Sequence, residues 1–251
     1  KYEIKDGWGY QSVNAMVKHW PGGGSGEAGR DAHYANGRYA VYPGNNLNAH
    51  LIPFINGAFK LNGKTKMAAA VMPYYTISWN QDKVNNENIA NNYNKYLITD
   101  LLRKKYKYDG VVCTDWLVTG DHKAMDNFID GKPFGVEHLS IAERHYKILM
   151  AGVDQFGGNN DAKPVIEAYQ MGVKEWGEAK MRARMEQSAV RLLLNVFRVG
   201  LFENPYTDAA VTKATVGKPA FMKAGYEAQL KSIVLLKNAK NVLHVTGKKT
   251  V

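Results

Sequence analysis

The chain alternates short apolar runs with stretches of helical periodicity, and it does so four times. Ala15 to His19, Met67 to Met72, Val111 to Cys113 and Val153 to Phe156 each read as a short strand. Leu47, Leu51, Ile55 and Phe59 recur at the spacing of one helix face, with Asn46 placed as a helix N-cap. Ile89, Tyr93, Tyr96, Leu97 and Leu101 repeat that spacing, as does the stretch Ile141 to Met150. Strands separated by whole helices cannot pair as tight hairpins; they return by crossovers and lie parallel. The expected fold class is therefore α/β, a parallel barrel or a doubly wound sheet.

Polar or aromatic groups stand at every strand exit, where parallel α/β folds gather their chemistry. The most informative exit is Asp109-Gly-Val-Val-Cys-Thr-Asp-Trp116, a β-branched strand opened by Gly110 that ends on the carboxylate of Asp115 and the indole of Trp116. Asp115 either carries chemistry or caps the next turn. Lys18 and His19 end the first strand, and Tyr74 and Tyr75 follow the second. A glycine-rich stretch, Pro21 to Asn46, follows Lys18 and His19, and loops of that length are usually functional. Cys113 reads as a small buried hydrophobe, and Asp154 as a structural hydrogen-bonding group at its strand end.

Composition removes several classes. A hydrophobic content of 45% and five tryptophans exclude a disordered chain. No apolar run is long enough to span a bilayer, and Lys1 to Asp6 lacks the apolar core of a signal peptide. One cysteine forbids an internal disulfide. The net charge of +10 is scattered. The basic residues of Arg103 to Lys107 and of Lys174 to Arg184 are expected on solvated helix faces, and no nucleic-acid-binding pattern accompanies them. His19, His33, His50, His122, His138, His145 and His244 show no ligand spacing, so neither a catalytic metal nor a cofactor is expected.

Beyond residue 160 the pattern changes. Ala162 to Met171 and Glu178 to Phe197 read as helices, the second amphipathic through Met181, Met185, Val190, Leu193, Leu194 and Phe197. Thr207 to Pro219 reads as a linker, Phe221 to Leu230 as a helix, and Ser232 to Asn238 as a buried strand that opens a second domain. The expected boundaries are 1–206, 207–219 and 220–251.

Six segments carry a resemblance: Lys18 to Gly24, Val71 to Tyr75, Asp109 to Trp116, Ala151 to Asp154, Arg198 to Pro205 and Ser232 to Asn238. In this order they are similar to glycoside hydrolase family 3, the β-glucosidase type. The resemblance implies the C-terminal half of a (β/α)8-like (TIM) barrel leading into an α/β sandwich domain near Ser232. It implies a retaining exo-β-glycosidase with Asp115 as covalent nucleophile. Lys18 and His19 would hold hydroxyls of the sugar, Tyr75 would stand beside the nucleophile, and Trp116 would wall the departing group. These roles agree with the chemistry of the side chains: charged donors bind hydroxyls strongly, and aromatic rings suit the apolar faces of a pyranose.

The departures matter too. Only seventeen residues precede Lys18, and the second domain, from which the family's β-glucosidases draw their glutamate acid/base, is represented by its start alone. The expected partners are a β-linked glucoside or oligosaccharide substrate and the remaining part of the same enzyme or a companion chain. Asp31-Ala-His33 resembles the Asp-Ser/Thr-His acid/base dyad of members acting on N-acetylglucosamine, at longer spacing. A terminal β-D-glucosyl residue is the expected substrate. A β-xyloside or an N-acetyl-β-glucosaminide is the alternative, and a catalytically incomplete carbohydrate-binding fragment is the competing class. By the same resemblance the protein is expected to be periplasmic or extracellular.

Overall fold

The computed structural model describes residues 14–123, 128–240, 243 and 247. The outer ends of the expected 1–206 and 220–251 portions, and His244, lie outside the described residues. The chain forms two units, residues 1–203 and 204–251, each taken by itself.

The first unit is organised by a parallel sheet in the order β1 (Met16–Trp20), β3 (Ala70–Pro73) and β5 (Val111–Val112). Its register sets Val17, Val71 and Val112 in one row and Lys18 beside Met72. Alternation along the strands sends that valine row into the main core. Ala70, Val111 and Cys113 form a smaller cluster, with Leu192 packed against it. The glycine-rich stretch is ordered by short helical turns and by β2 (Tyr39–Ala40), which pairs in parallel with β4 (Ile77–Ser78).

The expected fourth strand, Val153 to Phe156, is reduced to a single parallel bridge between Cys113 and Gln155. The cause is the side chain of Asp154. Its Oδ2 accepts the Val112 amide at 3.0 Å, taking the place that a main-chain carbonyl would fill in a ladder.

The main core centres on Trp20, fully buried, whose indole N–H donates to the Leu97 carbonyl at 3.0 Å. Phe54 and Tyr106 meet it edge-on. The helix α1 (Leu47–Ile52) runs on through Pro53–Ala58 with widened turns, the Phe59 amide reaching back to the Phe54 carbonyl at 2.9 Å. Asn46 does not cap it through its side chain. Its φ and ψ of −93° and 21° lie outside the extended geometry a capping side chain needs.

The helix expected from Ile89 begins only at Tyr96 and ends at Lys105. The intervening Asn91, Asn92 and Asn94 are buried, and their amides bind backbone and side chains instead. Asparagine competes with helical hydrogen bonding in this way. Helix α2 (Ile141–Ala151) starts on a capping box between Ser140 and Glu143. Helices α3 (Lys163–Trp176) and α4 (Glu178–Arg198) follow.

Helix α4 is held by a mixed face, Met181 buried and Leu192 packed on the small cluster beside a set of inward polar side chains. Val190, Leu193, Leu194 and Phe197 are exposed, whereas Ser188 is buried and Arg184 and Arg191 turn inward. Their target is Asp154. Oδ1 accepts from Ser188 Oγ at 2.8 Å and from Arg191 at 3.1 Å, and Oδ2 accepts from Arg103 and from Val112 N. Arg184 donates to the carbonyls of Leu149 and Val153. The expectation that Arg103 and Arg184 lie on solvated faces is thus corrected, because a buried carboxylate draws them in.

In the second unit, the expected linker 207–219 contains a helix, α5 (Ala209–Thr215), capped by Asp208 Oδ1 at the amides of Ala210 and Val211. Helix α6 covers Pro219–Ser232. Ser232 to Asn238 is not a buried strand: Ile233, Val234, Leu235 and Leu236 are exposed and no described strand pairs with them. A strand needs a neighbour for its backbone groups, and none is described here. Among the described residues no helix is long and apolar enough to cross a membrane.

Removing the Asp154 carboxylate leaves the inward-facing guanidinium groups of Arg103, Arg184 and Arg191 without their buried counter-charge. Asp154→Ala is expected to cost about 3–5 kcal/mol in urea unfolding. Asp109→Ala, which removes the exposed partner of the Arg191 Nε, is expected to cost less than about 1 kcal/mol.

Candidate active site

Three strand exits and the loop after the first converge on one cavity of about 320 Å3. β1 contributes Lys18, the turn after β3 contributes Tyr75, and the turn after β5 contributes Asp115 and Trp116. The glycine-rich loop contributes His33. His19 is outside the cavity wall but touches its floor, with Nε2 3.4 Å from Asp115 Oδ2.

Asp115 is only 6% exposed. Its backbone amide donates to Asn92 Oδ1 at 3.2 Å, and Asn92 in turn donates to the Tyr74 carbonyl at 2.9 Å. Oδ1 of Asp115 accepts the Trp116 amide at 2.8 Å, while Oδ2 receives no hydrogen bond from the described residues. Burial raises the carboxyl pKa, opposed by the Trp116 amide, the nearby Tyr75 hydroxyl and the charge of Lys18. Asn92 was absent from the expected site, although three asparagines within four residues of an otherwise apolar-periodic stretch are the signal that could have found it.

His19 is held at the neutral form. Burial first, then the charges of Lys18 and His33, bring its pKa down to about 4. Its ring stacks on Tyr74 with centroids 4.2 Å apart. The His19–Asp115 contact is therefore a neutral imidazole beside a carboxyl group near pH 7.

Tyr75 donates its hydroxyl to the Trp116 carbonyl at 2.9 Å. Burial, and then the Asp115 charge, push the phenol pKa well above its ordinary value, so it remains a donor. Trp116 lies against the backbone of Gly157 and Gly158. A Cβ at Gly157 would come within 2.6 Å of the indole, and one at Gly158 within 2.9 Å. The pair leaves one face of the ring supported by backbone and the residue 51% exposed.

Asp31 and His33 form a dyad. Oδ1 of Asp31 lies 2.7 Å from His33 Nδ1 and also accepts the His33 amide at 2.9 Å. These hydrogen bonds hold the Asp31 carboxyl below its ordinary pKa. The His33 ring stacks on Phe128, centroids 4.3 Å apart, and meets Tyr75 edge-on. Phe128, Ile129 and Asp130 also line the cavity and were not among the residues expected from sequence. All seven expected site residues thus gather at this end of the sheet. Cys113, two residues before Asp115, is buried and its thiol pKa is pushed up to about 11. Among the described residues no group of three or more His, Cys, Asp or Glu is arranged to hold a metal ion.

A buried carboxylate at the C-terminal exit of a parallel strand, ringed by a lysine, two histidines and two aromatic rings, stands where parallel α/β folds gather their chemistry. Residues 3–194 match the Glycosyl hydrolase family 3 N terminal domain, and the chain belongs to that family. Its N-terminal domain is a TIM-barrel-like α/β fold. The chain is 38% identical over 247 residues to the "Periplasmic beta-glucosidase/beta-xylosidase" of Dickeya chrysanthemi, covering 93% of this chain and 36% of that protein. It is 37% identical over 241 residues to the "Probable beta-glucosidase C" of Aspergillus oryzae, covering 95% of this chain and 35% of the relative. The chain therefore spans about a third of the length of these relatives. A solved β-glucosidase involved in saponin metabolism from intestinal bacteria superposes with a TM-score of 0.66 at 26% identity, over 92% of this chain and 26% of that one.

The depressed pKa of His19 has a measurable consequence. The unfolded chain, with an ordinary histidine value of 6.5, binds the extra proton between that pH and about 4, and the folded chain does not. This group's contribution to stability therefore rises with pH across that window. In an NMR titration the His19 ring is expected to shift only as the pH approaches 4; titration above pH 6.5 would mean a charged pair with Asp115.

Proposed function

We propose that this chain bears the nucleophile of a retaining exo-β-glycosidase that removes terminal, non-reducing β-D-glucosyl residues through a covalent glycosyl-Asp115 intermediate. The observation that carries the proposal is Asp115, buried at a strand exit beside the cavity, with one oxygen hydrogen-bonded and the other without a hydrogen bond among the described residues. The oxygen held by the Trp116 amide fixes the carboxylate, and Oδ2 is the atom left to attack the anomeric carbon. Lys18 and the neutral His19 hold hydroxyls of the sugar, and Tyr75 donates near the nucleophile. Trp116 supports the departing group. The names of the relatives support β-glucosides as substrates, with β-xylosides as the alternative named for the Dickeya protein. We further propose that the chain supplies the C-terminal half of a (β/α)8-like barrel leading into an α/β sandwich domain. It works with further sequence or a companion chain, outside the cytoplasm, in the periplasm or extracellularly. The greater length of the relatives and the periplasmic name of one of them support this.

Retaining hydrolysis also needs a proton donor to the leaving oxygen. The family's β-glucosidases use a glutamate of the second domain. A second reading is favoured by the 2.7 Å Asp31–His33 contact in the wall of the Asp115 cavity. The dyad has the geometry of an imidazole oriented and polarised by a carboxylate, and His33 could deliver the proton. On that reading, N-acetyl-β-glucosaminides join the candidate substrates.

In the full-length polypeptide carrying this chain, Asp115→Asn is expected to lower glycosylation by several orders of magnitude, and a 2-deoxy-2-fluoro glucoside to label the Asp115 peptide. Labelling at another carboxylate would overturn the assignment. Lys18→Ala is expected to cost about 1–4 kcal/mol in kcat/KM, and a change under about 0.5 kcal/mol would place the sugar clamp elsewhere.

The donor is decided by two substrates. If His33 donates the proton, His33→Ala loses an alkyl glycoside far more than a dinitrophenyl glycoside, whose leaving group needs no proton. Equal losses would return the role to another group.

A further inference from the structure

Helix α2 has two faces. Ala142, Arg144, His145, Ile148 and Leu149 turn inward, while Glu143, Tyr146, Lys147 and Met150 recur at helical spacing on the other side. That second face meets the end of α3 and bounds a cavity of about 380 Å3, which shares no lining residue with the Asp115 cavity. Leu139, Met150, Tyr146 and Trp176 form the apolar part of its lining. The two rings are tied together by their own polar atoms. The Trp176 indole N–H donates to the Tyr146 hydroxyl at 2.9 Å, and that hydroxyl donates to Glu175 Oε2 at 2.6 Å. The Lys180 ammonium, outside the lining, stands 5.6 Å from the centre of the indole ring. Trp176 nevertheless remains 46% exposed. A large ring held in one orientation and still facing solvent loses little entropy when a ligand covers it.

The charges around these rings select the class of ligand. Glu143 has one oxygen engaged by the Ser140 amide at 2.7 Å, Glu175 has one engaged by Tyr146, and Lys95 is exposed at the same cavity. An anion would meet two carboxylates here, and a cation would meet the ammonium groups of Lys95 and Lys147. A hydroxyl both donates and accepts, so it suits carboxylate and ammonium alike, and its bonds to them are charge-assisted. An uncharged ligand with many hydroxyls and apolar ring faces is a saccharide.

We propose that the cavity between α2 and α3 is an accessory saccharide site, in which a pyranose ring of a β-linked chain stacks on Trp176 and its hydroxyls bind Lys95, Glu143 and Glu175. The β linkage rests on the glycosidase reading of Asp115; the saccharide class rests on this cavity alone. The site takes no part in bond breaking. A chain held here keeps its ends at a raised local concentration around the Asp115 cavity.

In the full-length polypeptide, Asp115→Asn stops turnover and leaves binding to be read by calorimetry. Cellopentaose or xylopentaose is expected to bind in an event separate from that at the Asp115 cavity, and Trp176→Ala to weaken this event about fivefold or more. Lys95→Ala is expected to weaken it about threefold or more, and decides the matter if circular dichroism shows Trp176→Ala misfolded. With Asp115 restored, both variants should keep kcat/KM for nitrophenyl glucoside within about twofold of the wild type. Absence of such an event for both sugars, or its survival unchanged in the folded Trp176→Ala protein, would overturn the proposal. Binding that depends on Trp176 without any turnover of nitrophenyl glucoside would remove the glycosidase reading and leave the saccharide site. Normal turnover without binding that depends on Trp176 would do the reverse.

Discussion

The carboxylate of Asp154 is the constraint on which the first unit depends. It is buried, yet it receives four hydrogen bonds, from Arg103, Arg191, Ser188 and the Val112 amide. Such a group is tolerable inside a protein only when it is saturated in this way. Its donors come from three separated parts of the chain: the helix after β3, the strand β5 and the long helix α4. The same side chain interrupts the fourth strand by displacing a ladder acceptor and fixes the β5 amide three residues before Asp115. The placement of the candidate nucleophile is thus tied to a charge cluster on another part of the sheet.

Asp154 and Asp115 show how one residue type can take two functions from its surroundings. Both are buried beside β5, but Asp154 has both oxygens fully engaged, whereas Asp115 has one oxygen held and one without a hydrogen bond among the described residues. Saturation makes the first a fastener. Incomplete satisfaction makes the second costly to bury, and that burial raises the Asp115 pKa. Buried groups with unmet bonding capacity are rare enough that each asks for an explanation, and here the cavity supplies one.

Much of this was legible in the sequence, for physical reasons that differ by element. Strands β3 and β5 were readable because buried parallel strands are nearly continuous apolar runs, β1 from a short apolar start that ends in charge, and α2 because its capping box is local. The seven expected site residues converge because strand exits in a parallel sheet share one end. What escaped was governed by long-range polar contacts. Arg103 and Arg184 looked solvated until Asp154 gave them an inward partner, and α4 presents Val190, Leu193, Leu194 and Phe197 outward while Met181 and Leu192 stay inside. The Asn91–Asn94 stretch had helical spacing, but its amides were committed to the neighbouring turns and to Asp115. Phe128 and Ile129 carry no motif and are brought to the cavity by tertiary folding alone. In the second unit, Ser232 to Asn238 has the composition of a strand without a described neighbour to pair with.

Gly157 and Gly158 give the cavity a dependence that its own side chains do not reveal. They belong to a different strand exit from Trp116, yet their missing side chains define the plane in which its indole can lie. Anyone reshaping the mouth of this cavity by varying the residues that line it would leave these two positions untouched, since neither presents a side chain to a ligand. They nonetheless act as a template: two absent methyl groups set the tilt of the largest ring in the site, so the shape offered to a ligand is written partly in backbone.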